Sequence, residues 1–180
     1  FKILDRNYLN LRFQNLDKLE QIVLNSKSID SIQYDTFVGL SNLKHLSLNG
    51  NQISMLNEQV FNDLTNLEYL DLIRNNITLL EPNTFKALKN LVYISLKENK
   101  IENLNDEMLS GLENLSRIYV CNNCIKSIKF NTFNQFRNLS EIFLKNNQIK
   151  KLNSLIFGNL PKLKQIDLAN NELEIIDSKA

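Results

Sequence analysis

A spacing of 24 residues runs through nearly the whole chain and limits its fold before any local preference is weighed. Leu43 to Asn66 shows one unit without a gap. Leu43, Leu46, Leu48, Ile53, Leu56, Phe61 and Leu64 hold its apolar positions, and Asn51 is a polar residue of fixed place. The frame begins at Leu19 and restarts at Leu67, Leu91, Leu115, Leu139 and Leu163. Such a period means stacked copies of one supersecondary unit, each too small to enclose a core alone. The 180 residues therefore read as one array of turns with no central core.

Within a unit, apolar and polar residues alternate around Leu46 and Leu48, the period of a short strand with one buried face. Asn51 to Ile53 then turns the chain away, Ile53 and Leu56 point back inside, and Phe61 and Leu64 fill the side opposite the strand. Parallel strands lie ~4.8 Å apart, whereas stacked rings demand more room, so the array bends with its sheet on the inside. Phe37, Phe61, Phe85, Phe133 and Phe157 are expected to stack as a spine, interrupted where Leu109 and Met108 stand in the fourth unit. Asn51, Asn75, Asn99, Asn123, Asn147 and Asn171 fall where backbone leaves the sheet, so their amides are expected to bridge backbone groups that have no strand partner. Lys27 takes that place in the first unit. The expected divisions are an irregular or shortened repeat over 1–18, six full repeats over 19–162 and a partial repeat over 163–180, all in one solenoid.

This pattern resembles the leucine-rich repeat family, in particular its typical 24-residue class, common in animal extracellular proteins. The resemblance implies an α/β fold: a right-handed solenoid, or arc, with a parallel sheet on the concave face and irregular or short helical convex segments. It also implies a protein-recognition module with a role in innate immunity, similar to Toll-type ectodomains and to the leucine-rich immune proteins of mosquitoes. The asparagine, lysine and isoleucine bias points to an arthropod source. Arrays of this class carry cysteine-rich caps, which this sequence does not show, so a fragment of a longer protein is expected.

Lysine and arginine number 21 against 20 acidic residues, a balance that gives no argument for nucleic acid or an anionic membrane. Leu115 to Lys162 nevertheless holds eight basic residues against Glu141 alone. If that segment bound nucleic acid, affinity would fall steeply with salt. No apolar run approaches the ~20 residues of a membrane helix, so no membrane insertion is expected.

Cys121 and Cys124 form a C-x-x-C flanking the ladder asparagine Asn123. The motif can mark a redox pair or half a zinc site, but no second such pair exists and His45 is the only histidine. Two free thiols, or a disulfide that is local or links chains in an assembly, remain open; neither metal nor cofactor is expected. The sequence holds no carboxylate pair, nucleophile elbow or phosphate-cradling glycine loop, so the expectation is a binding protein and not an enzyme. Three N-x-S/T sequons occur, at Asn76, Asn114 and Asn138. Asn114 and Asn138 end their units, as Asn42, Asn66 and Asn90 do without a sequon, which favours Asn76 as the glycosylation site.

Residues flanking the buried strand positions form the concave surface. One row runs Gln21, His45, Tyr69, Tyr93, Arg117, Glu141, Gln165; a second runs Val23, Ser47, Asp71, Ser95, Tyr119, Phe143, Asp167. At the strand exit a third contains Asn49, Ile73, Lys97, Cys121 and Lys145. Tyrosine, arginine and phenylalanine gather in the middle, the composition of an interface centre. The expected partner-binding residues are Tyr69, Tyr93, Arg117, Tyr119 and Phe143, with Ile73 and His45 beside them. The leading expectation is a secreted or cell-surface module that binds a protein; the alternative is an intracellular scaffold that docks a signalling protein.

Overall fold

The computed structural model describes residues 2–153 and 155–176. Seven three-residue strands, Gln21–Val23, His45–Ser47, Tyr69–Asp71, Tyr93–Ser95, Arg117–Tyr119, Glu141–Phe143 and Gln165–Asp167, form one parallel sheet in chain order. Register advances by one repeat at every pairing, so Tyr69 faces Tyr93 and Tyr119 faces Phe143. The middle residue of each strand from Ile22 to Ile142 points inward and is fully buried. This is a leucine-rich-repeat arc with its parallel sheet on one side, as the 24-residue period predicts.

Two-residue strands line the route from the sheet to the far side. Ile3–Leu4 pairs with Ser31–Ile32, Met55–Leu56 with Leu79–Leu80, and Asn103–Leu104 with Ser127–Ile128. Lys151–Leu152 pairs with Ile175–Ile176. The convex side is otherwise built of turns. Helix is confined, among the described residues, to Arg6–Asn10 and the single 3-10 turn Leu16–Lys18, both before the first full repeat. Asp5 caps the former by accepting the Tyr8 amide at 2.7 Å. Thr36 ties this end down by donating to the Leu4 carbonyl at 2.9 Å. Residues 177–180, on which the reading of an unfinished last repeat partly rests, lie outside the described residues.

The phenylalanine spine forms in two runs. Phe37, Phe61 and Phe85 stack with centroids 6.2 and 6.1 Å apart, and Phe133 stacks on Phe157 at 5.9 Å. Between the runs Leu109 is fully buried and Met108 half-buried, and the missing bulk returns one turn later as Phe136, buried in a closing-leucine position and 6.4 Å from Phe133. Met108 packs, partly buried, against the same core.

The asparagine ladder is as expected and denser. Asn75 accepts the Ile53 amide at 3.1 Å and donates to the Leu48 and Leu72 carbonyls at 3.0 and 3.1 Å. It therefore staples its own turn to the one before. At the top of the series Lys27 cannot repeat this, and its backbone N–H instead donates to Asn51 Oδ1 at 3.0 Å.

The residue before each ladder asparagine, and before Lys27 in the same place, has a left-handed backbone: Ser26, Gly50, Arg74, Glu98, Asn122, Asn146 and Asn170 all have φ between 53° and 69°. Glycine and asparagine adopt this region readily; arginine and glutamate do not. Arg74 and Glu98 are held there together. Arg74 Nε donates to Glu98 Oε2 at 2.7 Å, and that hydrogen bond draws the Glu98 carboxyl below its ordinary value.

Candidate functional site: an aromatic diagonal on the concave sheet

Tyr69 and Tyr93 stand opposite one another in the first outward row, and their rings stack at 4.3 Å and within 5° of parallel. In the next two repeats the large residue moves to the second row. Tyr119 and Phe143 stack at 4.5 Å and within 7°, and a tilted contact of 5.2 Å between Tyr93 and Tyr119 joins the two pairs. His45 extends the run with its ring 5.8 Å from Tyr69. The result is one diagonal of five rings across the sheet. Arg117 places its guanidinium 5.6 Å from the centre of the Tyr93 ring, and Tyr119 donates its hydroxyl to Glu141 at 3.4 Å. The four rings from Tyr69 to Phe143 are half-buried; His45 and Arg117 are exposed.

The structure therefore brings Tyr69, Tyr93, Arg117, Tyr119, Phe143 and His45 together, and half-buried Ile73 lies at the exit of the Tyr69 strand. Row two differs from its expected outward display. Asp71 and Ser95 are buried because each lies beside a large row-one ring, and the two rows share limited width. Asp71 accepts from the Ser47 hydroxyl at 3.1 Å and from the Ile73 amide at 2.9 Å; Ser95 Oγ is buried with no hydrogen-bond partner among the described residues. The small–large exchange between rows was visible in the sequence as Asp71 and Ser95 opposite Tyr69 and Tyr93. Only side-chain volume in three dimensions turns that exchange into burial.

Burial raises the pKa of Tyr69, and its hydrogen bond with Tyr93 raises it further. Burial also raises Tyr119, with Glu141 adding repulsion against the phenolate. The folded state thus holds these protons more tightly than the unfolded chain. Their stabilising contribution is complete below the ordinary tyrosine value of about 10 and is lost as pH rises through the higher folded values. Thermal unfolding from about pH 8 to about pH 11 should show a decline that is shallower in the Tyr69→Phe, Tyr119→Phe double variant. Equal slopes would remove this coupling.

Cys121 and Cys124 are both free and half-buried, and burial raises the Cys121 pKa. A less ionised, partly covered thiol exchanges slowly, in contrast to the exposed position its strand-exit place suggests. Among the described residues no group of three histidine, cysteine, aspartate or glutamate side chains could hold a metal ion, and no helix is long and apolar enough to cross a membrane.

The leucine rich repeat pattern matches residues 17–77, 66–125 and 113–173. The chain belongs to the leucine rich repeat family. No curated protein sequence matches this leucine-rich-repeat chain. Among solved structures it is similar to TLR13 in complex with the RNA ssRNA13, at 32% identity and a TM-score of 0.85 over 90% of this chain. It is also similar in fold to the Drosophila Toll–Spatzle complex, at 23% identity and a TM-score of 0.80 over 94% of the chain. It spans 23% and 22% of those two chains, so it corresponds to about a quarter of each.

Proposed function

We propose that this leucine-rich-repeat module acts outside the cell, in innate immunity, without catalysis, and binds a protein partner through its concave face. The continuous ring diagonal from Tyr69 to Phe143 carries this reading. Stacked rings are already ordered, so a partner that covers them gains apolar contact at little further cost in side-chain entropy. Arg117, Ile73 and His45 supply the mixed margin of such an interface. The similarity to Toll-type structures supports the extracellular setting.

The TLR13 neighbour was solved with single-stranded RNA, so RNA is the ligand class to weigh against protein. Proteins that hold single strands offer free ring faces and a positive groove. Here the rings cover one another's faces, and Lys97, Arg117 and Lys145 are balanced by Asp71, Glu141 and Asp167 on the same sheet. Those features favour protein. Oligonucleotide titrations at several salt concentrations should show no saturable binding; tight binding that weakens steeply with salt would replace the protein reading.

Changing Tyr93→Ala together with Tyr119→Ala should weaken a concave-face partner about 100-fold or more while circular dichroism stays native. The pair removes the joint of the diagonal. Affinity retained by the double variant would refute the site. Reduced cysteines and unoccupied sequons would favour an intracellular scaffold that docks a signalling protein, the second reading. Mass spectrometry of native material separates the two, since reduced cysteines with all three sequons bare would support the scaffold.

A further inference from the structure

Outside the concave face, one flank of the arc carries apolar side chains that its own fold leaves open. The two-residue strands each turn one residue inward and one outward, and the outward row begins Ile3, Ser31, Met55, Leu79 and continues Asn103, Ser127, Lys151. Ile3, Met55 and Leu79 are each about half exposed, at 50%, 51% and 47%, and Met55 is the direct strand partner of Leu79. The row is thus apolar at Ile3, Met55 and Leu79 and polar from Asn103 to Lys151. A shallow groove beside it is lined by Ile3, Asp30, Ser31, Gln52, Ser54 and Asn76. Asn76 is three residues before Leu79 and heads the sequon Asn76-Ile77-Thr78.

The three sequons differ in what folding does with the asparagine. Asn114 donates Nδ2 to the Lys89 carbonyl at 2.9 Å and accepts from Asn138 Nδ2 at 3.2 Å. Asn138 in turn accepts from Lys162 Nζ at 2.6 Å. Both belong to a second amide ladder, on the strand-entry flank, in which Asn42, Asn66 and Asn90 donate to the Asp17, Ser41 and Thr65 carbonyls. The half-buried Asn76 side chain makes no hydrogen bond with any described residue. Of the three sequon asparagines, Asn76 alone has a side-chain amide that takes no part in a ladder, so a substituent there disturbs none.

We infer that Asn76 carries an N-linked glycan whose first sugars lie along the groove and cover the Met55 and Leu79 side chains, leaving the concave face as the surface open to a protein partner. The reading rests on the extracellular setting proposed above. In the transfer, Asn76 Nδ2 forms a bond to the anomeric carbon of a lipid-pyrophosphate-linked oligosaccharide. That carbon's bond to the phosphate oxygen breaks, the lipid pyrophosphate leaves with the electron pair, and the amide proton passes to a base on the transferase. Transfer takes place on the unfolded chain, so the structure decides which modified asparagine folds into the arc. Sugar rings present C–H faces that cover aliphatic side chains, and their hydroxyls reach Gln52 and Ser54.

The test is to secrete this chain from eukaryotic cells, map the glycan by peptide mass spectrometry, and compare the secreted protein with Asn76→Gln. The expected result is a glycan on Asn76, lost in the variant. Asn76→Gln should gain severalfold in fluorescence with an apolar dye, and adding Met55→Ser and Leu79→Ser should remove that gain. A bare Asn76, or a glycan found only on Asn114 or Asn138, overturns the assignment of the acceptor. Equal dye binding with and without the glycan overturns the covering role, and concentration-dependent dimers of the glycosylated protein would name a second copy as the occupant instead. If the secreted chain is glycosylated at Asn76 while protein from its natural source is bare at every sequon, the extracellular reading fails and the acceptor assignment stands.

Discussion

Gly111→Ala should remove roughly 3–5 kcal/mol of stability and uncouple the two halves of the arc. Gly111 has φ +91°, and a Cβ added to it would lie 2.4 Å from Lys86 Cα and 2.5 Å from the Lys86 carbonyl oxygen. Those are backbone atoms of the preceding turn and cannot rotate aside, so relief requires the two turns to separate. The close approach occurs two residues after Leu109, where the spine lacks its ring and the chain can move inward. Gly39→Ala is the internal control. It has φ +76° with nothing within 4 Å of the added atom, so it should lose only the left-handed backbone preference, about 1–2 kcal/mol. Because neighbouring turns carry the stability of such an array, Gly111→Ala should also turn one denaturant transition into two. Equal losses in the two variants would show that the contact with Lys86 is not the constraint.

Asn99→Ala should cost about 2–3 kcal/mol, in the upper part of what one buried polar group left unpaired normally costs. The Asn99 amide donates to the Leu72 carbonyl at 2.9 Å, the Leu96 carbonyl at 3.0 Å and the Lys97 carbonyl at 3.3 Å, and it accepts the Ile77 amide at 3.0 Å. Alanine leaves the Ile77 N–H without its acceptor in a buried place that water reaches poorly, and it takes one of two donors from each of the three carbonyls, which keep Asn75, Asn123 and the Arg74 amide. Asn171→Ala removes the same kind of staple from the last described turn, where the residue is half-buried and water can substitute, so about 1 kcal/mol is expected. Urea unfolding of both variants measures the gradient. A middle asparagine that costs no more than Asn171 would reduce the ladder to a decoration of the turn.

The periodic residues were legible because each has the same task in every turn. Leu46, Phe61 and Asn51 meet their own copies one repeat away, so position in the unit states burial and partner together. The aromatic centre of the concave face was legible for the same reason, since Tyr69, Tyr93, Tyr119 and Phe143 fall in outward strand places. Other features were out of reach. Arg74 and Glu98 occupy a left-handed place that Gly50 and Asn122 hint at, yet two charged residues conceal the series until the backbone is traced. Phe136 occupies a closing-leucine place, and the sequence does not say that its extra bulk returns what Leu109 lacks. Place in the unit already set Asn114 and Asn138 apart from Asn76 in the sequence, but the hydrogen bonds that hold those two side chains were not legible there.

The sequence by itself determined the arc: its period, its parallel sheet, the residues inside and the asparagines at each strand exit. Apolar spacing and a repeated polar site suffice for that, because each turn buries itself only against its neighbours. The tertiary structure decided how those turns meet sideways. It joined five separate rings into one diagonal, pushed Asp71 and Ser95 beneath the surface, and pressed Gly111 onto the Lys86 backbone. The first two depend on side-chain volume across a strand spacing of ~4.8 Å and the third on how closely two turns outside the sheet approach, distances that no residue order along the chain records.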